Sequence, residues 1–243
     1  MRDPEKTRSK ILSAAFDTVY RQGFRATSVN DIVTKAGVTQ GAFFHYFPTK
    51  NDLGYTLADE VLREMNLERW VRPLSAYSNP VQGLESRFRK LMEATTDEEI
   101  GLGCPLNNLT QEMSSVDPIF REKLRGALME WIKETERYLK KAQAEGYLKP
   151  EVDTRSVAEF LVMMEEGSWA LAKVLGDRRI YRAMYDGYRQ YLDSISTKHE
   201  KGKSRQSLTR RRIDLGDPDG NSTGMFQSLT ADENVTGRRG GKS

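Results

Sequence analysis

Gln40, Ala42 and Phe44 stand close together on a segment too short to bury all its aromatic residues, and their side chains suit the edges of DNA bases. A glutamine amide can pair bidentately with adenine, while a methyl group or a phenyl ring can meet the methyl of thymine. Lys50 adds charge at a helix start whose backbone N–H groups already attract phosphate. Catalysis has no comparable footing. His45 has no serine or cysteine nucleophile beside it. The adjacent acids Glu165-Glu166 and Glu98-Glu99, with Asp97, point to different sides of a helix and read mostly as solvated faces. Two histidines and one cysteine cannot build a zinc site, and the lone cysteine excludes an internal disulfide. No glycine-rich phosphate loop or hydrolase elbow appears. The residues imply no enzyme, no metal and no cofactor.

The elements that must position these side chains are legible around them. Val29, Ile32, Val33 and Ala36 fall at i, i+3, i+4 and i+7, one apolar helix face. Ser28 and Asp31 form a capping pair ahead of it, and Gly37 ends it in the left-handed conformation. Thr39 caps a second short helix carrying Gln40, Ala42, Phe43 and Phe44, with Phe43 and Phe47 turned to the core. Helix, glycine turn, helix is the helix-turn-helix arrangement, whose second helix enters the major groove. Upstream, a helix over roughly 5–22 packs Ile11, Leu12, Ala15, Phe16 and Val19 on one face. Downstream, Thr49 and Asp52 form a capping box for a fourth helix, striped by Leu53, Leu57, Val61 and Met65 to about Trp70.

The run GVTQGAFFHYFPTKNDL and its flank TRSKILSAAFDTVYRQGFRATSV, residues 7–57 together, resemble the DNA-binding region of the TetR family of bacterial transcriptional regulators. The resemblance implies that Thr39, Gln40, Gly41, Ala42 and Phe44 face the groove. It places His45, Tyr46, Lys50, Thr27 and Ser28 at phosphate-contacting positions. The family often has tyrosine where this chain has Phe44, so apolar contact must replace a hydroxyl contact there.

The net charge of +3 conceals an uneven distribution. Residues 1–50 hold eight Lys/Arg against four Asp/Glu, residues 197–243 hold ten against six, and the middle is acidic. A basic end on an acidic body fits DNA at one end and another partner in the middle. No apolar run approaches the length of a membrane span, and the N-terminus carries no hydrophobic stretch after its charges, so a cytoplasmic location is expected. The expected fold class is all-α: a three-helix DNA-binding domain over 1–50, an effector-binding and dimerisation body of about six helices over 51–196, and a disordered basic tail over 197–243. The tail is rich in Gly, Ser, Asp and Arg and has no apolar period.

Within the body, Asp117 and Pro118 open a long helix reaching about Gly146. Val157, Phe160, Leu161, Met164, Ser168, Leu171 and Leu175 mark the next helix, and Tyr181, Met184, Tyr185, Tyr188, Leu192 and Ile195 the last. Such stripes suit either an internal core or a self-complementary face. The family resemblance favours the face, a homodimer joined through helices at about 153–175 and 178–195.

A second motif, Gly103-Cys104-Pro105-Leu106-Asn107-Asn108-Leu109 continuing to Glu112-Met113, resembles a NemR-like branch of the same family. Some members of that branch respond to electrophiles or oxidants through the cysteine, with a lysine nearby, here Lys173. Independently of that likeness, a cysteine at a helix start is favoured as thiolate; the bland alternative is a small buried hydrophobe. The expected effector pocket is lined by some of Phe88, Met92, Cys104, Asn108, Met113, Trp131, Trp169 and Lys173. Asn107, Asn108 and Glu112 are candidates to orient a polar group. The reading is a repressor that dimerises on a pseudo-palindromic operator and is released by a small molecule. That molecule is either an electrophile or oxidant, or a reversible apolar ligand with Cys104 structural. Rival readings are a helical-bundle enzyme, for which no convergent nucleophile and base are found, and non-specific nucleic-acid binding through the tail.

Overall fold

Side-chain caps decide where the N-terminal helices begin. Ser28 and Asp31 exchange hydrogen bonds as a capping box, Thr39 accepts from the Ala42 amide, and Thr49 and Asp52 form a second box. Gly37, with φ 64°, closes its helix in the left-handed region. The helices are α1 (Pro4–Gln22), α2 (Val29–Ala36) and α3 (Gln40–Tyr46), with α4 opening at Lys50–Thr56. The computed structural model describes residues 4–197, so the tail expected beyond them lies outside the described residues.

From Lys50 the chain stays helical far past that first turn. α4 passes through π-helical Leu57–Leu62, α-helical Arg63–Asn66 and π-helical Leu67–Val71 before a 3₁₀ turn at Arg72–Ala76. Then follow α5 (Pro80–Ala94), α6 (Asp97–Leu102), α7 (Pro105–Met113), α8 (Pro118–Ala144), α9 (Thr154–Leu175) and α10 (Arg179–Ile195). All the regular elements among the described residues are helical, as expected. Sequence reading did not set α6 apart as an element; it starts with a Thr96–Glu99 capping box.

Two cores result. Ile11, Phe16, Ile32, Phe43 and Phe47 are buried among α1–α3, and Leu84, Phe88, Trp131, Leu139, Leu161 and Tyr188 among the body helices. A glycine joins the two. A Cβ built on Gly54 would lie 2.4 Å from Phe120 Cζ and 2.5 Å from Phe24 Cε2, so only glycine lets α4 reach this ring pair. The Phe24 and Phe120 rings meet edge to face at 4.8 Å, and Tyr55 packs on Phe120 at 4.9 Å. The Tyr55 hydroxyl donates to Asp117 Oδ2 at 2.9 Å, while Oδ1 of the same carboxylate caps α8.

The apolar stripes of the last two helices need correction. On α10, Tyr181, Tyr188 and Leu192 are buried in this chain's own core, and Met184, Tyr185 and Ile195 pack half-buried against that core. Its stripe is therefore spent internally. α9 is apolar on two faces: Val157, Leu161, Ser168 and Trp169 point inward, whereas Phe160, Met163, Leu171, Val174 and Leu175 are exposed. A helix apolar over more than one stripe offers no internal sign of which side meets its own core. No helix of the described residues is long and apolar enough to cross a membrane.

Gly54→Ala is expected to destabilise the protein by about 1–3 kcal/mol, because the added methyl meets two packed rings. Urea unfolding checks it, with the midpoint falling.

Candidate nucleic-acid interface and its junction with the body

α3 presents two sides. Phe43 and Phe47 are buried beneath it, which leaves Thr39, Gln40, Gly41, Phe44 and His45 exposed, with Phe44 at 47%. Ala42 and Tyr46 are half-buried. Phe44 leans edge-to-face on Phe43 at 5.2 Å, and His45 meets Tyr46 at 5.0 Å, so the outward aromatics rest on the buried ones. The exposed face thus combines an amide, a ring, an imidazole and a glycine that permits close approach, a set suited to a groove.

Two residues assigned to phosphate by resemblance have other work. Thr27 is 1% exposed, and its hydroxyl donates to the Gly23 carbonyl at 2.7 Å, so its side chain points into the loop and cannot reach a phosphate. The Lys50 ammonium donates to the carbonyls of Phe24 at 3.0 Å and Thr27 at 2.8 Å, and sits 4.6 Å from the Phe24 ring centroid. It ties α4 to the loop between α1 and α2. Ser28 is exposed, but its hydroxyl is engaged in the cap of α2.

The same loop is held from the other side by the body. Both carboxylate oxygens of Glu112, on α7, accept backbone amides: Oε2 from Phe24 at 2.8 Å and Oε1 from Arg25 at 2.7 Å. Hydrogen bonds to a charged acceptor contribute about 1.5–3 kcal/mol each. Gly23, with φ 88°, turns the chain so that these amides face α7, and a Cβ there would lie 3.2 Å from Glu112 Oε2. Tyr20 on α1 donates to the Gly103 carbonyl at 2.6 Å, and Arg21 pairs with Glu98 of α6 at 2.5 Å. Glu112, considered from sequence as an effector contact, is instead the fastening between the body and the N-terminal helices.

The cysteine motif folds back on α9. Cys104 Sγ–H donates to Glu166 Oε1 at 3.4 Å, and Asn107 Nδ2 donates to the Glu166 carbonyl at 3.1 Å. Asn108 bridges the Leu102 carbonyl and the Lys173 ammonium, at 2.8 and 3.2 Å. This overturns the expectation of a favoured thiolate. Burial, and then the Glu166 charge, push the Cys104 thiol well up, outweighing the Asn107 and Leu106 amides at the helix start. Lys173 lies beside Asn108, where its charge meets an amide oxygen.

Reading the Glu165-Glu166 pair as solvated was also wrong. Glu165 is 4% exposed, accepts from Trp169 Nε1 at 2.8 Å and is pushed up to about 8 by burial. Burial also pushes Glu166 up to about 7. Oε2 of each is enclosed without a hydrogen-bond partner among the described residues. Helical periodicity allowed either side, and the inward turn of α9 settled it.

The expected pocket residues do not converge. Phe88 and Trp131, with Trp70, Tyr188 and Glu165, enclose a body cavity of about 20 Å³, enough for one water. Asn108 and Lys173 line a separate cavity of about 540 Å³ between α1 and α7. Met113 and Trp169 are buried, Met92 is half-buried, and Cys104 lines neither cavity.

Residues 11–53 match the family described as bacterial regulatory proteins, tetR family, and residues 80–188 match the tetracyclin repressor-like C-terminal domain. The transcriptional regulator AcuR of Cereibacter sphaeroides is 27% identical over 179 residues, 71% of this chain and 78% of that protein. A crystal structure of a regulatory protein TetR from Rhodobacter sphaeroides superposes with a TM-score of 0.66 at 25% identity, covering 76% of this chain and 98% of the other. Reduced Escherichia coli NemR gives a TM-score of 0.68 at 16% identity, covering 79% and 97%, a likeness of fold alone.

Two outcomes test this arrangement. Glu112→Ala should cost about 1–3 kcal/mol and speed hydrogen exchange at the Phe24 and Arg25 amides more than at Leu161. For Glu165, the native state keeps a proton that the unfolded chain releases above its ordinary value of 4.5. Its contribution is therefore fully present below about pH 4.5 and is lost as pH rises to about 8. Glu165→Gln, which still offers Trp169 an oxygen, should flatten that fall and gain about 1–3 kcal/mol on wild type between pH 5 and 8, read by urea unfolding.

Proposed function

The chain is a TetR-family transcriptional regulator by both of its domains, and from that premise we propose that it is a homodimeric, effector-released repressor. Residues 1–50 bind one half of a pseudo-palindromic operator, and residues 51–196 hold the effector site and the dimer face. The observation that carries this reading is the outward face of α3. Gln40, Gly41, Phe44 and His45 are exposed while Phe43 and Phe47 anchor the helix from below. Gln40 reads adenine, and Ala42 and Phe44 meet thymine methyls. Thr39 and Gly41 share the groove-facing side with them, Ser28, His45 and Tyr46 lie towards the phosphate backbone, and Lys50 contributes by holding the loop that aims α3.

The outer face of α9 supports the dimer. Met163 at 63% and Val174 at 84% exposure, with Phe160, Leu171 and Leu175, form an apolar band that a monomer would leave in water. Paired about a twofold axis, such a face sets two α3 helices on one side of DNA, about 34–36 Å apart. Cys104 enters this reading as a packing residue, since its thiol is held protonated beside Glu166, which favours a reversibly bound effector over a covalent one. Effector binding that shifts α7 reaches the DNA-binding helices through Glu112, and operator affinity falls by the effector's preference for the shifted state.

A footprint on DNA flanking the protein's own gene, at controlled salt, tests the whole. Gln40→Ala should relax one base position per half-site at about 1–3 kcal/mol. Val174→Glu should shift sedimentation towards the monomer and weaken the footprint on both half-sites together. A footprint indifferent to both substitutions would sink the reading.

A further inference from the structure

A partly open cavity lies at the seam between α1 and the body. Its volume of about 540 Å³ suits a drug-sized molecule, whereas the body cavity of about 20 Å³ has room for one water. Phe16 of α1, Leu57 and Leu62 of α4 and Leu109 of α7 give it an apolar floor. Most charge on its wall is already answered. Arg21 is paired with Asp17 at 3.0 Å and Glu98 at 2.5 Å, and both oxygens of Glu112 are taken by backbone amides. Lys173 differs. Its ammonium donates to the neutral Asn108 Oδ1 at 3.2 Å, and no carboxylate lies within ion-pair distance of it among the described residues.

We infer that this seam binds a small amphipathic carboxylate, with its acid group on Lys173 and its hydrocarbon part on Phe16, Leu57, Leu62 and Leu109. A single cation above an apolar floor matches a monoanion with an apolar body. An inorganic anion would leave the floor unfilled, and a neutral lipid would leave Lys173 unanswered. The occupant touches α1, α4, α7 and α9 together, so its affinity depends on the angle between the DNA-binding helices and the body. The space is open while Glu112 holds Phe24 and Arg25, so the ligand stabilises the fastened junction. Its effect on operator affinity rests on the repressor reading; its binding does not.

Calorimetric titration of the full chain, without DNA, with octanoate and octanol is the test. Octanoate should bind saturably at one site per chain, with octanol about tenfold weaker or less. Lys173→Met should lose about tenfold of the octanoate affinity and leave octanol binding unchanged, the latter showing that the variant keeps the fold. In hydrogen exchange, octanoate should slow the Phe24 and Arg25 amides. Absence of saturable binding, equal octanoate affinity in Lys173→Met, or protection confined to the surroundings of Trp131 would each overturn the inference. A failed footprint alongside intact octanoate binding would reject the repressor reading alone.

Discussion

A carboxylate accepting two consecutive backbone amides holds the two parts of this molecule together. Glu112 takes the N–H groups of Phe24 and Arg25, which the turn at Gly23 aims at α7. Those amides lie just past the end of α1 and donate to Glu112 instead of to its last carbonyls. Lys50 takes the carbonyls of Phe24 and Thr27 in the same loop, so anion and cation hold one short segment from opposite sides. Loop position then sets where α2 starts, and α2 sets where α3 points.

Because that anchor sits on α7, the surroundings of α7 govern the DNA-binding helices. Its first turn is stitched to α9 by Cys104 and Asn107 on Glu166 and by Asn108 on Lys173. Its far end carries Glu112. Nine residues of helix, Pro105–Met113, thus link the contacts with α9 to the loop. The Phe24–Phe120 contact braces that link from the side, with α4 pressed close by Gly54. Tight packing of this kind favours discrete arrangements over gradual bending.

The interior of α9 shows why charge counts mislead. Glu165 and Glu166 count as two negative charges in the sequence, yet burial pushes both up to about neutral pH or beyond. Neutral carboxyls can share a core with Trp169 and Cys104 at far lower cost than two ionised ones. The same burial, acting on Cys104, pushes its thiol up despite its place at a helix start.

What the residues determined alone was everything decided within a turn or two of the chain. The capping pairs Ser28–Asp31 and Thr49–Asp52, the left-handed Gly37 and the Asp117–Pro118 start all involve partners within about four residues. So does the split between buried Phe43 and Phe47 and exposed Phe44, which follows from helical period. The tertiary structure alone decided whatever depends on distant partners or on dielectric surroundings. Glu112 meets Phe24 across 88 residues and Cys104 meets Glu166 across 62, separations over which sequence spacing carries no geometry. Which apolar stripe of α9 faces inward, whether its acids are ionised, and whether Thr27 points outward were fixed only when neighbouring helices closed over them. Burial belongs to the packed molecule, because a side chain's own neighbours in the chain cannot remove it from water.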